Sequence, residues 1–365
     1  PEDESVWVDA GVLWNDLVEH LLPSGWVPPV LTSNLNVTIG GTLAFGGLGV
    51  ASHRYGSQVD NVLALEVVTG TGDLVYCSPD ENSDLFDCVR CGAGQFGLIT
   101  RAKLSLRRFL PNVRTFYLLY DDLDALMQDQ RRVAREGRFD FTEAWCSPCV
   151  QGQRRLGETT VSFAEWLFPV QLSVEYDTAA PSYDGILSSL NFYKSVYRED
   201  SRFPDFVRRM EPVFQEWRES GAWNRAHPWM EVLLPWERAA EYIQGVLNGL
   251  PPALVTGGQV LLWTCATGRS HSPLFIHPEG DLTMGFAIQS SVHHRAVGMA
   301  VSLMQKASDL VMQVGGNRYL SGWVPFDNSR WKMHYGKMWP QVVQWKKFFD
   351  PEGVLNPGFI AFRED

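Results

Sequence analysis

The peptide NVTIGGTLAFGGLGVASHRYG, residues 36–56, joins a β-branched run to a dense group of glycines. Val37, Thr38 and Ile39 are typical of a strand, and five glycines follow within ten positions. Glycines after a strand permit turns that need a positive φ. They also let a flat or phosphate-bearing ligand approach main-chain amides that no Cβ shields. The peptide therefore predicts either a packed turn or a nucleotide site.

A second glycine group, Gly92, Gly94 and Gly97, favours the ligand interpretation. Two loops of bare backbone in one small domain could face a single extended cofactor. Neither loop has the phosphate-binding pattern G-x-x-x-x-G-K-S/T, and no G-x-G-x-x-G opens a helix. The residues alone leave packing and nucleotide binding open.

The composition restricts the class of protein. A length of 365 residues favours two domains. The formal net charge of −11 argues against nucleic acid or an anionic membrane as the main partner. No apolar run reaches the length of a membrane span, roughly 18 residues, and the acidic opening PEDESVWVDAG predicts no signal peptide.

The cysteines suggest a metal site only weakly. Cys88–Cys91 and Cys146–Cys149 both have C-x-x-C spacing, and together they could offer four thiolates to zinc. However, 54 residues separate the two pairs, which is wider than in a zinc ribbon. We expect buried thiols and no metal site.

The secondary-structure signals in the sequence change near residue 109. Residues 1–108 contain short strand-like segments separated by glycine-containing turns, with a β-hairpin signal around TGTGD. These features predict a compact α+β domain. Beyond them, long strand-like segments alternate with amphipathic helices near 123–136, 203–219, 236–249 and 293–314. This mixture predicts a mostly antiparallel sheet with helices on one face.

Several motifs together resemble those of a known family. TIGGTLAFGGLGVASHRYGSQVDNVLALEVVTGTGDLVYCS, NSDLF and GAGQFGLITRAKLSL are similar to the flavin domain of flavoproteins of the vanillyl-alcohol-oxidase type, also called the FAD-binding PCMH type. AHPWMEVLLP, NRYLSGW and FFDPEGVLNPGF resemble later segments of the cytokinin dehydrogenases within that superfamily. The resemblance therefore spans nearly the whole chain.

The resemblance implies an FAD-dependent oxidoreductase with a two-domain α+β fold. Residues 1–108 would form the second subdomain of the FAD-binding domain, and 109–318 a substrate domain with an antiparallel sheet flanked by helices. Residues 319–365 would return to the FAD domain. By motif position, nine residues would contact the cofactor: Thr38, Gly40, Gly41, Thr42, Ala44, Leu48, Ile99, Tyr319 and Asn356. His53, which directly follows the first glycine loop, is a further candidate for contact with the flavin edge.

The chain departs from the family pattern in three places. By the resemblance, we expect the N-terminal FAD subdomain, whose G-x-G-H-S-like turn often attaches flavin, to be missing from this chain, and we therefore expect no covalent attachment within it. Either the chain is a fragment of a longer protein, or a separate N-terminal polypeptide completes the domain. Ser33 occupies the position of the family's catalytic Asp, and Asn356 and Phe359 replace other residues of the closing segment. The missing Asp leaves cytokinin specificity open.

Four residues are candidates for catalysis. Ser33 could orient a substrate, although a hydroxyl is a poor base at neutral pH. His227 begins the peptide HPWMEV, and the proline that follows favours an extended backbone that could point it into a cleft. Glu143 and Glu231 lie in apolar strand-like surroundings, where burial would raise a carboxyl pKa. Each could instead be a packed or ion-paired structural residue.

These features predict an enzyme that transfers hydride from a small substrate to flavin. The hydride would leave a carbon that bears nitrogen or oxygen, as in a cytokinin-dehydrogenase-like reaction. An alcohol or sugar oxidase of the same superfamily fits the missing Asp about as well. A flavin-fold protein that binds a ligand without turnover is the alternative from a different class.

Overall fold

The computed structural model describes residues 3–255 and 257–362, and within them it contains fifteen strands. The strands are β1 (Ser5–Asp9), β2 (Trp26–Val27), β3 (Val62–Val68), β4 (Leu74–Cys77), β5 (Leu98–Ser105), β6 (Arg107–Arg108), β7 (Asn112–Tyr120), β8 (Phe141–Trp145), β9 (Ser147–Leu156), β10 (Thr159–Tyr176), β11 (Lys194–Arg202), β12 (Met230–Pro235), β13 (Gln259–Cys265), β14 (Thr283–Gln289) and β15 (Asn317–Gly322).

The same residues contain twelve α-helices, several of them only one turn long. The helices are α1 (Trp14–Leu21), α2 (Ile39–Leu43), α3 (Ser52–Tyr55), α4 (Ser83–Val89), α5 (Leu123–Glu136), α6 (Tyr183–Ile186), α7 (Phe203–Val207), α8 (Glu211–Glu219), α9 (Trp236–Gly249), α10 (Val297–Gln313), α11 (Asn328–Tyr335) and α12 (Trp339–Phe349). None of these helices combines the length and the apolar character needed to cross a membrane.

The chain divides into two compact units. The first unit comprises Pro1–Phe109, Arg269–Ile276 and Val324–Asp365, and the second comprises Leu110–Gly268 and His277–Trp323. No sequence pattern predicted that the short segment Arg269–Ile276 joins the first unit. Which unit binds the cofactor and which binds the substrate stays a prediction.

The first unit contains a four-stranded sheet in the order β1-β5-β3-β4, together with the pair β2-β6. The predicted hairpin around TGTGD is confirmed, because β3 and β4 pair across the turn and the amide of Thr69 donates to the carbonyl of Asp73 at 3.0 Å. The predicted strand at residues 37–39 is wrong. Thr38 is the N-cap of α2 instead, since its side chain accepts from the amide of Gly41.

The second unit is built on one large sheet in the order β11-β7-β10-β8-β13-β14-β12-β15, with β9 paired to β10. All the described pairings are antiparallel, as the sequence predicted. The predicted helix over 203–219 is wrong in extent, because it is divided into α7 and α8. Pro212 lies in the first turn of α8, where a proline fits, but it could not continue the preceding helix.

The two faces of this sheet carry different residues. Met230, Val232 and Leu234 of β12 lie in the apolar core that also contains residues of α5, α9 and α10. Because strand side chains alternate between faces, Glu231 and Leu233 point to the opposite face. That face carries the polar cluster described below.

Gly285 tests the packing of this second face. A Cβ built on Gly285 would overlap the indole ring of Trp263, its neighbour across β13 and β14. We expect Gly285→Ala to lower the free energy of unfolding by about 1–3 kcal/mol because the ring must move.

The control is Gly245→Ala in α9, where no atom lies within 4 Å of the added Cβ. This change should raise the free energy of unfolding by about 0.5–1 kcal/mol. Urea denaturation of both variants measures the two effects, and equal signs would contradict this assignment.

Candidate functional site

Most glycines of the two loops are required by packing within the first unit. A Cβ on Gly47 would overlap the side chain of Gln58, and a Cβ on Gly97 would overlap Val67. These glycines therefore need no ligand to explain them. Backbone carbonyls leave no room for a side chain at two further positions, Gly49 and Gly92.

Gly41 and Gly94 are different, because their main chain is uncovered. Gly41 is exposed, and a Cβ there would meet only the hydroxyl oxygen of Thr38, at 2.8 Å. Gly94 has a φ of +68°, and the nearest atoms to its Cβ position belong to Asn356, at 4.0 Å. Within the described residues, the Gly94 amide donates to no protein acceptor. These positions can accept a ligand against the backbone.

The other predicted cofactor residues of the first loop hold α2 in place. Thr38 caps the helix, and Gly40 lies where a Cβ would come 2.8 Å from the Cβ of Ala10. The hydroxyl oxygen of Thr42 accepts a hydrogen bond from the indole nitrogen of Trp14 at 2.9 Å. These residues therefore hold α2 against Ala10, which follows β1, and against Trp14 at the start of α1.

The remaining predicted cofactor residues differ in exposure. Ala44 and Leu48 are half-buried, whereas Ile99 lies buried in β5. His53 is buried in α3, and its Nδ1 lies 3.2 Å from the carbonyl oxygen of Val50. Cofactor contacts by these four residues stay predictions.

Glu231 is the centre of a polar cluster on the second unit's sheet. Its Oε1 accepts from Nε2 of Gln289 at 2.9 Å, and Ser321 also hydrogen-bonds the carboxyl. Oε1 of Gln289 in turn accepts from Nε2 of Gln259 at 2.8 Å. Tyr319 lies directly opposite Glu231 in the register of β12 and β15. The cluster joins four neighbouring strands.

Burial controls the charge of this cluster. It raises the pKa of the Glu231 carboxyl, and the hydrogen bonds from Gln289 and Ser321 and the charge of Arg318 offset only part of the effect. The guanidinium of Arg318 donates from Nε to the backbone carbonyl of Glu231 at 3.1 Å. Burial also lowers the pKa of Arg318, to about 10. Glu231 is thus a carboxyl whose charged form is disfavoured.

Glu143 lies on the same sheet face in a different environment. Its Oε2 accepts from a guanidinium nitrogen of Arg209 at 3.0 Å, and both side chains are largely buried. Glu231 is held by an amide and a hydroxyl instead, so the two predicted carboxylates are suited to different roles.

His227 and Ser33 are the other two catalytic candidates. Nδ1 of His227 lies 3.2 Å from the carbonyl oxygen of Ser290, and Nε2 lies 3.3 Å from that of Trp223. A neutral imidazole can donate to only one of these carbonyls, so the ring is already engaged with the backbone. Ser33 lies half-buried in the irregular segment before α2. Both roles stay predictions.

The cysteine pairs contain mostly buried thiols. Cys88, Cys91 and Cys146 are buried, and Cys149 is exposed. Burial raises the pKa of Cys146, which keeps its thiol protonated. In residues 3–255 and 257–362, no group of three or more His, Cys, Asp or Glu side chains is placed to hold a metal.

Sequence reasoning missed the partners of Glu231. Gln259, Gln289 and Ser321 occupy positions of three strands that face away from the core, and alternation was the only signal for them. Which strands are neighbours depends on the sheet order, and no local pattern specifies that order.

The comparisons with known proteins agree with the resemblance. Residues 111–362 match the family described as "Cytokinin dehydrogenase 1, FAD and cytokinin binding". The chain belongs to this family. Residues 1–78 match the family described as "FAD binding domain". The predicted α+β fold of this flavoprotein type is confirmed.

The relatives of this cytokinin dehydrogenase family member come from bacteria and plants. It is 32% identical to "Uncharacterized oxidoreductase ORF5 in fasciation locus" of Rhodococcoides fascians, over 96% of this chain and 78% of the relative. It is 30% identical to cytokinin dehydrogenase 7 of Oryza sativa subsp. japonica, over 98% of this chain and 74% of that protein. It is 27% identical to cytokinin dehydrogenase 1 of Arabidopsis thaliana, over 98% of this chain and 66% of that protein.

This family member is therefore an FAD-dependent oxidoreductase, and FAD is its cofactor. The uncovered backbone at Gly41 and Gly94 fits this cofactor, because a ring or phosphate can approach there without meeting a Cβ. The Gly94 amide is a donor that such a group could use.

The raised pKa of Glu231 predicts a pH-dependent effect on stability. A carboxyl whose pKa is higher in the folded state than in the unfolded state stabilises the fold fully only below its unfolded pKa. That contribution is lost as the pH rises through the folded pKa. We therefore expect Glu231→Gln, which carries no charge, to gain stability relative to the unchanged protein between about pH 4 and neutrality.

Urea denaturation across this pH range measures the difference. Glu165→Gln, at an exposed position of β10, is the matched control and should show no such trend. A difference for Glu231→Gln that stays constant with pH would contradict the assignment.

Proposed function

We propose that this chain oxidises a secondary amine and that Glu231 accepts the proton from the amine nitrogen. Several relatives are named cytokinin dehydrogenase. The cytokinins that such a reaction would oxidise are adenines whose exocyclic nitrogen carries a substituent. The chemistry that bound FAD would supply is a hydride acceptor for the carbon next to that nitrogen. The substrate class we propose is therefore an N-substituted adenine.

The observation that carries the proposal is the environment of Glu231. A buried carboxyl with a raised pKa is closer to the working range of a general base than an ordinary surface carboxylate. When it takes the N–H proton, the hydrogen on carbon leaves with its electron pair and a C=N bond forms. The carboxyl becomes neutral in this step, which its buried surroundings favour.

Ser33 supports this assignment by its chemistry. It stands where the resemblance places a catalytic Asp, and its hydroxyl cannot take a proton efficiently at neutral pH. A reaction that needs a base therefore needs another residue. Glu143 is the weaker candidate, because the guanidinium of Arg209 already holds its carboxylate.

The test is anaerobic mixing of the purified full-length protein with an N-substituted adenine, followed by the visible absorbance of the flavin. We expect the absorbance to bleach with the amine and to persist with the alcohol that has the same side chain. Bleaching by the alcohol alone would show an alcohol oxidase. A protein that purifies with flavin and bleaches with neither would contradict the proposed reaction.

Glu231→Gln should slow bleaching by about 10²–10⁴-fold, the usual contribution of a general base. The rate of the unchanged protein should rise with pH as Glu231 loses its proton, and this rise should be absent in Glu231→Gln. Glu143→Gln is measured beside it. A larger loss in Glu143→Gln than in Glu231→Gln would assign the base to Glu143 instead.

A further inference from the structure

The second glycine turn, Cys91–Gln95, has a backbone that ordinary residues rarely adopt. Cys91 has a φ of +58°, Ala93 of +50° and Gly94 of +68°. Non-glycine residues with positive φ are uncommon. They persist where surrounding contacts enforce them, and they cluster at functional sites.

One side of the turn is fixed by the first loop. The amide of Cys91 donates to the carbonyl of Leu43 at 3.0 Å, and the amide of Ala93 donates to the carbonyl of Ala44 at 2.9 Å. These acceptors lie at the C-terminal end of α2. The two glycine loops are therefore joined through their main chains.

The other side of the turn is fixed by Asn356. Its side-chain Nδ2 donates to the carbonyl of Ala93 at 2.8 Å, and its own carbonyl accepts from Nε2 of Gln95 at 3.0 Å. Asn356 itself has a φ of +41°, a conformation that Asn tolerates better than most residues. It thus bonds the turn on both sides of Gly94.

A buried lysine supports this contact from α12. Nζ of Lys346 donates to the carbonyl of Gln95 at 2.8 Å, to Oδ2 of Asp350 at 2.6 Å and to the carbonyl of Leu355 at 3.0 Å. The ammonium therefore connects the turn to the segment that carries Asn356.

We propose that Asn356 and Lys346 are positioning residues that hold the turn Cys91–Gln95 in the shape that presents the Gly94 amide to FAD. The amides of Cys91, Ala93 and Gln95 donate to carbonyls of the protein, whereas within the described residues the Gly94 amide donates to none. The proposal rests on FAD as the cofactor, and it does not depend on which substrate is oxidised.

The test compares two asparagines of the first unit. Asn356→Asp keeps the shape and tolerates the positive φ, but it places a carboxylate oxygen against the carbonyl of Ala93. Asn82→Asp is the matched control, because Asn82 is also exposed, has a φ of +50° and donates Nδ2 to the carbonyl of Tyr76 at 2.7 Å. FAD binding to the flavin-free full-length protein is measured by fluorescence, and Tm is measured on the same samples.

We expect Asn356→Asp to weaken FAD binding by about tenfold, which corresponds to the loss of one hydrogen bond. Its bound flavin should also show a shifted visible spectrum. Asn82→Asp should bind FAD normally with a similar change in Tm. Normal FAD binding by Asn356→Asp, or equal weakening in both variants, would overturn the proposal.

Lys346→Met and Lys347→Met form a second pair, since Lys347 is the exposed neighbour on the same helix. Lys346→Met should lose flavin on purification while Lys347→Met keeps it. A folded Lys346→Met protein that retains FAD with an unchanged spectrum would overturn the role of Lys346. If Lys346→Met does not fold, the asparagine pair decides alone.

Discussion

The buried ion pair between Lys346 and Asp350 is the constraint on which the first unit's loops depend. Asp350 is 1% exposed, and its carboxylate also accepts from the amides of Val354 and Leu355 at 2.9 Å each. Burial acts to raise the pKa of Asp350, but Lys346 and these amides outweigh it and keep the pKa below its ordinary value. Removing one partner of such a pair costs about 3–5 kcal/mol.

The position of this pair explains why several distant segments need particular residues. A Cβ on Gly70, in the hairpin between β3 and β4, would overlap the Asp350 carboxylate. The amide of Gly70 donates to the carbonyl of Phe349 at 2.8 Å. The hairpin turn, α12 and the second glycine turn therefore meet at one buried charge. In the sequence, Gly70 looks like an ordinary turn glycine, but its contact with Asp350, which is far away in the chain, is what requires a glycine there.

The same distinction divides the glycines of the two loops. A dense glycine group predicts bare backbone, but it does not reveal what approaches that backbone. At Gly47 and Gly97 the neighbour is a side chain of the same unit, and at Gly41 and Gly94 the main chain is left uncovered. Local spacing is alike in both cases. Only the fold separates a glycine required for packing from one available to a cofactor.

Much of the architecture was predictable because it follows from local patterns. The helices over 123–136 and 236–249 agree with their sequence periodicity to the residue, and the antiparallel sheet of the second unit agrees with the mixture of strands and helices. The strand predicted at residues 37–39 failed because the capping side chain of Thr38 prevailed over its β propensity. The extra partner segment Arg269–Ile276 could not be predicted. Asp60 accepts from the hydroxyl of Ser270 and the amide of His271, and these contacts span more than 200 residues.

The candidate site shows the same limit in its chemistry. Glu143 and Glu231 are the same residue type, lie in similar apolar strands and share one face of one sheet. The sequence could propose both as bases, because burial was predictable for each. What separates them is the neighbour that each carboxylate meets: the guanidinium of Arg209 for Glu143, and the amide of Gln289 for Glu231. A cation stabilises the carboxylate it contacts, whereas neutral donors only partly offset the cost of burying it. Strand order places Gln289 beside Glu231, whereas Arg209 reaches Glu143 from the turn between α7 and α8. The tertiary packing around the sheet therefore gives two identical side chains different partners.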